Sequence, residues 1–95
     1  MPSTVRSRFA LGQVVATPGA LKAFEEAGVS PMSLLVRHSA GDWGEVPPED
    51  AEENELSVRE GYRILSSYTL PTKERIWLIT EADRSATTFL LPSEY

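Results

Sequence analysis

The spacing of apolar positions changes once along the chain, at Gly61. Before it, apolar residues recur at helical intervals between recognisable start and stop signals. Thr17 and Pro18 open the first such segment: a capping hydroxyl is followed by a residue whose missing N–H costs nothing in a first turn. Leu21, Phe24 and Ala27 then share a face, and Gly28 is a natural stop, so the pattern predicts a helix over 18–27. Ser30 and Pro31 repeat the device ahead of Leu34, Leu35 and Val36, with Gly41 beyond, which predicts a helix over 31–39. Pro48 can open a third helix ended by Gly61. Its apolar anchors are few, mainly Ala51 and Leu56, so it is expected to lie on the surface.

After Gly61 the period is two. In "YRILSSYTL" the residues Tyr62, Ile64, Ser66 and Tyr68 face one way and Arg63, Leu65, Ser67 and Thr69 the other. "PTKE" and "DRSA" read as turns, and "RIWLITEA" and "TTFLLP" as strands. The expectation is antiparallel strands over 62–70, 75–82 and 87–91. Near the N-terminus "FALGQVVAT" (9–17) reads as an added strand that Gly12 weakens. Helices first and strands after give the α+β class: two or three short N-terminal helices packed on a C-terminal three-stranded antiparallel meander. The expected core is Leu21, Phe24, Leu34, Leu35, Ile64, Ile76, Leu78 and Phe89. Residues 1–8 are expected to be a flexible tail, and 9–95 one α+β domain.

Ninety-five residues allow one small core. With no cysteine and one histidine, neither disulfides nor a zinc or iron site is expected. The acids of "PPEDAEENE" do not match a calcium loop. No Gly-rich phosphate loop or dinucleotide fingerprint is present, so no cofactor is expected. No apolar run reaches membrane-span length, and no signal-peptide core precedes the domain, so the expected location is the cytoplasm, away from the membrane.

Charge refines this picture. Residues 42–60 hold eight acids and one base, and the rest of the chain six acids and eight bases. The net charge of −5 therefore belongs to one segment, which argues against a broad nucleic-acid-binding face. Read as an interaction surface, that segment offers Asp42, Trp43, Glu49, Asp50, Glu52 and Glu53 to a protein partner.

A second reading is catalytic. Metal-free RNA cleavage needs a general base, a general acid and cations to stabilise a charged phosphorane. His38, Arg63, Arg75 and Thr88 could fill those roles on a sheet face, with Lys73, Arg84 and Thr87 as further candidates, and RNA as the partner. The plainer reading of each stands beside it. His38 would be a helix-end cation favoured by the dipole, the arginines solvent-facing strand residues, and the threonines ordinary strand formers. Trp43 and Trp77 would pack in the core or at its rim.

The combination "RHSAGDWGEV", "NELSVREGYRILSSY" and "IWLITEADRSATTFLLPSEY" resembles a family of small proteins carried on bacterial plasmids and integrative elements, over residues 9–95. Some members bear the label "type I restriction endonuclease subunit M". This chain has no methyltransferase motif and is too short for that fold, so the label implies no methylation here. The resemblance implies an accessory protein of a mobile genetic element acting by protein binding, such as an inhibitor of a host defence system. At the level of pattern the helices followed by a meander are also similar to the barnase–EndoU–colicin–RelE group of metal-independent ribonucleases, which implies roles for His38 and Arg63, with Arg75 and Thr88 behind them.

Overall fold

The structure is a computed structural model that describes residues 7–95. It is α+β, in the order β1 (Gln13–Ala16), α1 (Pro18–Ala27), α2 (Pro31–Ser39), α3 (Pro48–Glu60), β2 (Ile64–Thr69), β3 (Arg75–Thr80) and β4 (Ala86–Leu90), closed by a 3-10 turn over Pro92–Glu94. Three helices precede the meander, and the N-terminal strand joins it as a fourth. The sheet order is β1-β4-β3-β2, with β1 parallel to β4 and the other pairs antiparallel. Of the tail expected over 1–8, residues 1–6 lie outside the described residues. Arg8 is tied down: its N–H donates to the Ser39 carbonyl at 2.8 Å, and its guanidinium pairs with Glu55 at 2.7 Å.

Capping chemistry sets the first two helices. The Thr17 hydroxyl accepts from the Ala20 N–H at 3.1 Å, and Ser30 accepts from Met32 at 3.3 Å. α1 ends at Gly28, whose φ of 66° is the left-handed cap. Its buried stripe is Ala20, Ala23 and Phe24, and Leu21 stands 53% exposed. The expectation of a core Leu21 is therefore corrected. Two alanines in the buried stripe let the helix sit close on the sheet, which turns Leu21 toward solvent.

One face of the sheet carries the core. Tyr68 pairs with Ile76 and Leu78 with Phe89, and these four pack with Phe24, Leu34 and Leu35 from the helices. A smaller cluster of Phe9, Trp43 and Ile64 lies beside it. Burying an aliphatic or aromatic side chain contributes about 1.5–3 kcal/mol, so these residues carry most of the stabilisation in so small a domain.

The expected strand over 9–17 shortens to four residues. Gly12 has φ 63°, and a Cβ there would stand 2.4 Å from backbone atoms of Arg84 and Ser85. That close approach to the β3–β4 turn admits glycine alone and starts the strand at Gln13.

The two edges of the sheet differ. Beyond β2, Gly44 forms a parallel bridge to Ser67; the Ser67 N–H donates to the Trp43 carbonyl at 3.1 Å, and Glu45 N–H donates back to Ser67. Gly44 has φ 73°, and a Cβ would meet the Ser67 carbonyl at 2.1 Å. Further along the same edge Asn54 of α3 takes the place of a peptide group. Its Nδ2 donates to the Leu65 carbonyl at 2.8 Å and its Oδ1 accepts from the Leu65 N–H at 3.2 Å. α3 is thus anchored through buried Asn54 and Ser57 rather than through Leu56, which is 37% exposed.

Candidate functional site

His38 lies in the last turn of α2, where sequence allows either a catalytic group or a dipole-favoured cation. The structure gives it a third role. It is fully enclosed, between Ser66 of β2 and Thr80 of β3. Nδ1 is 2.5 Å from the Ser66 hydroxyl and Nε2 is 2.9 Å from the Thr80 hydroxyl. Thr80 lies 2.8 Å from Thr87 of β4, whose hydroxyl donates to the Leu11 carbonyl at 2.8 Å. The proton order follows from that last bond. Thr87 spends its one proton on Leu11, so Thr80 donates to Thr87. Thr80 must then accept from Nε2–H, and Nδ1 accepts from Ser66. His38 is the neutral Nε2–H tautomer, and burial holds its pKa down to about 4. The stabilising imidazolium at a helix end is thereby overturned.

Phe9 and Trp43 close this pocket, with ring centroids 5.3 and 6.0 Å from the imidazole. Trp43 is 6% exposed, and its indole N–H donates to Glu55 at 3.1 Å. Its expected place on an interaction surface is corrected: the ring is a wall of the His38 pocket. Tyr68 completes the surroundings, its hydroxyl donating to the Asp42 carbonyl at 2.7 Å, with burial pushing the phenol up to about 12.

The other catalytic candidates lie on the opposite face of the sheet. Arg63 immediately precedes β2; its guanidinium donates to the Tyr95 hydroxyl at 2.6 Å and stands 3.7 Å from Glu81. Arg75 pairs in register with Thr69 at the far end of β2, donates to Ser67 at 3.3 Å and stands 3.5 Å from Glu45. Residues 63 and 69 are six apart along a strand, roughly 20 Å at strand rise. Thr88 sits between Val15 and Ile79 in the same face, half-buried. The sheet therefore separates His38 from all three, and the length of β2 separates the two guanidinium groups from each other. Of the further candidates, Thr87 belongs to the His38 network, and Lys73 sits in the β2–β3 turn at φ 75°.

Arg84 is a functional cation of a structural kind. Its guanidinium donates to four backbone carbonyls: Tyr62 at 2.7 Å, Ser57 at 2.8 Å, Glu81 at 3.1 Å and Ala82 at 3.3 Å. It binds the end of α3 to the β3–β4 turn and adopts φ 60° to do so.

The acidic segment divides in two. Asp42 pairs with Arg37 at 2.7 Å, which holds its carboxyl below the usual range, and Glu45 and Glu55 face Arg75 and Arg8. Glu49, Asp50, Glu52 and Glu53 are exposed and form no ion pair among the described residues. Glu49, Glu52, Glu53 and Leu56 follow helical spacing, and with Glu55 and Arg59 they line an open depression along α3. Among the described residues no group of His, Asp or Glu side chains converges as a metal ion requires, and no helix is long and apolar enough to cross a membrane.

Comparison with known proteins finds no matching family model, no matching curated protein and no matching solved structure. Function is read from the geometry.

Proposed function

We propose that this chain is a binding protein that presents the outer face of α3 to a basic surface on a protein partner. One observation carries the reading. Four carboxylates, those of Glu49, Asp50, Glu52 and Glu53, stand exposed and form no ion pair among the described residues, while Asp42, Glu45, Glu55 and Glu81 each face an arginine. Leu56, exposed beside them, supplies an apolar contact inside the charged rim, the arrangement that protein interfaces favour. In line with the resemblance to plasmid-borne proteins, the partner would be a host defence protein in the cytoplasm, met at a surface that otherwise takes nucleic acid.

The test is reversal of charge. The partner is captured on immobilised protein, identified, purified and titrated by calorimetry. Changing Glu49, Asp50, Glu52 and Glu53 together to lysine should lower affinity about a hundredfold or more, and wild-type binding should weaken as salt rises. The fold should survive, because exposed substitutions change stability by about 0.5 kcal/mol or less. A folded quadruple variant that binds like the wild type removes α3 from the interface.

A further inference from the structure

Residues 91–95 leave the end of β4 and turn onto the face of the sheet opposite the core. No residue of the 3-10 turn Pro92–Glu94 is buried, and Tyr95 is 68% exposed. Two polar anchors hold the segment instead. The first is Glu94, whose Oε1 accepts from the Thr17 hydroxyl at 2.5 Å and from the Leu91 N–H at 2.8 Å. Gly19 leaves room for that carboxylate, since a Cβ there would stand 2.5 Å from Oε2. Thr17 is also the cap of α1, so one hydroxyl ties the start of the helix to the segment. These contacts, the Thr17 hydroxyl first and the Leu91 N–H next, hold the Glu94 carboxyl below the usual carboxylate range. The second anchor is Tyr95. Its hydroxyl accepts from Arg63 at 2.6 Å, and its ring meets the half-buried indole of Trp77 edge-on, with centroids 5.7 Å apart.

We propose that residues 91–95 are a strap that opens as a unit, latched by the Glu94 carboxylate at the start of α1, and that its opening uncovers Trp77 and frees Arg63 from Tyr95. An element attached without buried apolar area opens at a free energy well below that of the whole fold. Leu91 packs against the core and marks the hinge. Beyond it the segment is braced within itself: the Glu94 N–H donates to the Leu91 carbonyl at 2.9 Å and the Tyr95 N–H to the Pro92 carbonyl at 3.2 Å. Glu94 and Tyr95 are neighbours in the chain, so release of the carboxylate draws the ring off Trp77. The latch is a charge held by a hydroxyl, an N–H group and the positive end of α1, with no ion pair to Glu94 among the described residues. An exposed contact of that kind weakens as salt rises. Once the strap is open, an indole and a guanidinium stand uncovered on the face away from the core, and Arg63 keeps only Glu81 at 3.7 Å. The strap does not rest on the reading of α3, whose carboxylates take no part in it.

Trp77 reports the strap, because the other indole, Trp43, is enclosed. The measurement is quenching of tryptophan fluorescence in the full chain by acrylamide, a neutral probe. Glu94→Gln keeps the shape of the side chain and removes its charge. It should raise the quenching constant about twofold or more with the circular dichroism unchanged, although residue 94 is not in contact with the indole through any ring or hydrogen bond of its own. Gly19→Ala should do the same by setting a Cβ against the carboxylate, at a helical position that alanine favours. Tyr95→Ala gives the value for an uncovered Trp77. Rising salt should move the wild type toward that value and should change Glu94→Gln much less. Folded Glu94→Gln and Gly19→Ala variants quenched like the wild type overturn the proposal, because the ring then stays in place without the latch. So does a Tyr95→Ala variant quenched like the wild type, or a salt response that is the same with and without the Glu94 charge.

Discussion

The imidazole Nδ1 of His38 accepts the hydroxyl proton of Ser66 across 2.5 Å, inside a pocket closed to solvent. In atom types this is the pairing that activates a serine nucleophile. Here it joins a helix to a sheet. The folded pKa of about 4 lies below the ordinary 6.5, so in that window the unfolded chain binds the proton that the native state refuses. Stability should therefore be fully present above about pH 6.5 and fall as pH drops toward 4, by about 3 kcal/mol in all. Urea titrations at successive pH values measure the slope, and the folded variant His38→Gln should lose that part of it. An identical pH dependence in the two proteins would show that His38 does not titrate in this way.

Asn54 should be worth more than its neighbours on the same helix. Replacing it with alanine removes both hydrogen bonds to Leu65 and leaves a strand edge unsatisfied. Asn54→Ala should destabilise by about 2–4 kcal/mol, against about 0.5 kcal/mol or less for Glu52→Ala. Amide exchange should accelerate at Leu65. Equal effects of the two substitutions would show that α3 is held otherwise.

Arg84 makes two separable contributions, one through its guanidinium and one through its backbone. Arg84→Ala loses the bonds to Ser57 and Tyr62 and keeps an L residue at φ 60°, a loss of about 2 kcal/mol. Arg84→Gly loses the same bonds but relaxes the backbone. It should recover about 0.5–1 kcal/mol of that loss in thermal unfolding. A glycine variant less stable than the alanine variant would contradict the strained-turn reading.

The ribonuclease reading has its own assay. Pure protein incubated with RNA in EDTA should leave the RNA intact, because His38 is enclosed and Arg63 and Arg75 occupy opposite ends of the other face. Cleavage that is slowed about a hundredfold by His38→Ala and by Arg63→Ala, in folded proteins, would reinstate it.

The elements were legible because their signals are local. Thr17–Pro18 and Ser30–Pro31 mark helix starts whatever packs against them, and the alternation of 62–70 sets Ile64, Ser66 and Tyr68 on one face of β2 and Leu65, Ser67 and Thr69 on the other, as the sheet does. That alternation also carried a signal easily passed over. Ser66 shares a face with Ile64 and Tyr68, and Thr80 with Ile76 and Leu78. Hydroxyls on the buried face of strands imply a buried polar partner, and the lone histidine is the natural one. The roles of Asn54 and Arg84 were not legible. Each depends on carbonyls brought close only in the folded chain, and neither residue type announces an edge cap or a carbonyl clamp. Leu21 misled for a related reason: the helical period allowed two adjacent stripes, and close approach to the sheet selected the one with alanines.

The Gly44 bridge and the Asn54 clasp have a consequence for how far strand addition can run. A sheet with two free edges can add copies at both and grow into a fibre. This sheet has one edge stoppered from within its own chain, by a glycine that admits no side chain and an asparagine that imitates a peptide bond. The helix that carries the exposed carboxylates therefore also protects part of the β2 edge, and losing the Asn54 clasp would open the Leu65 peptide group to strand addition.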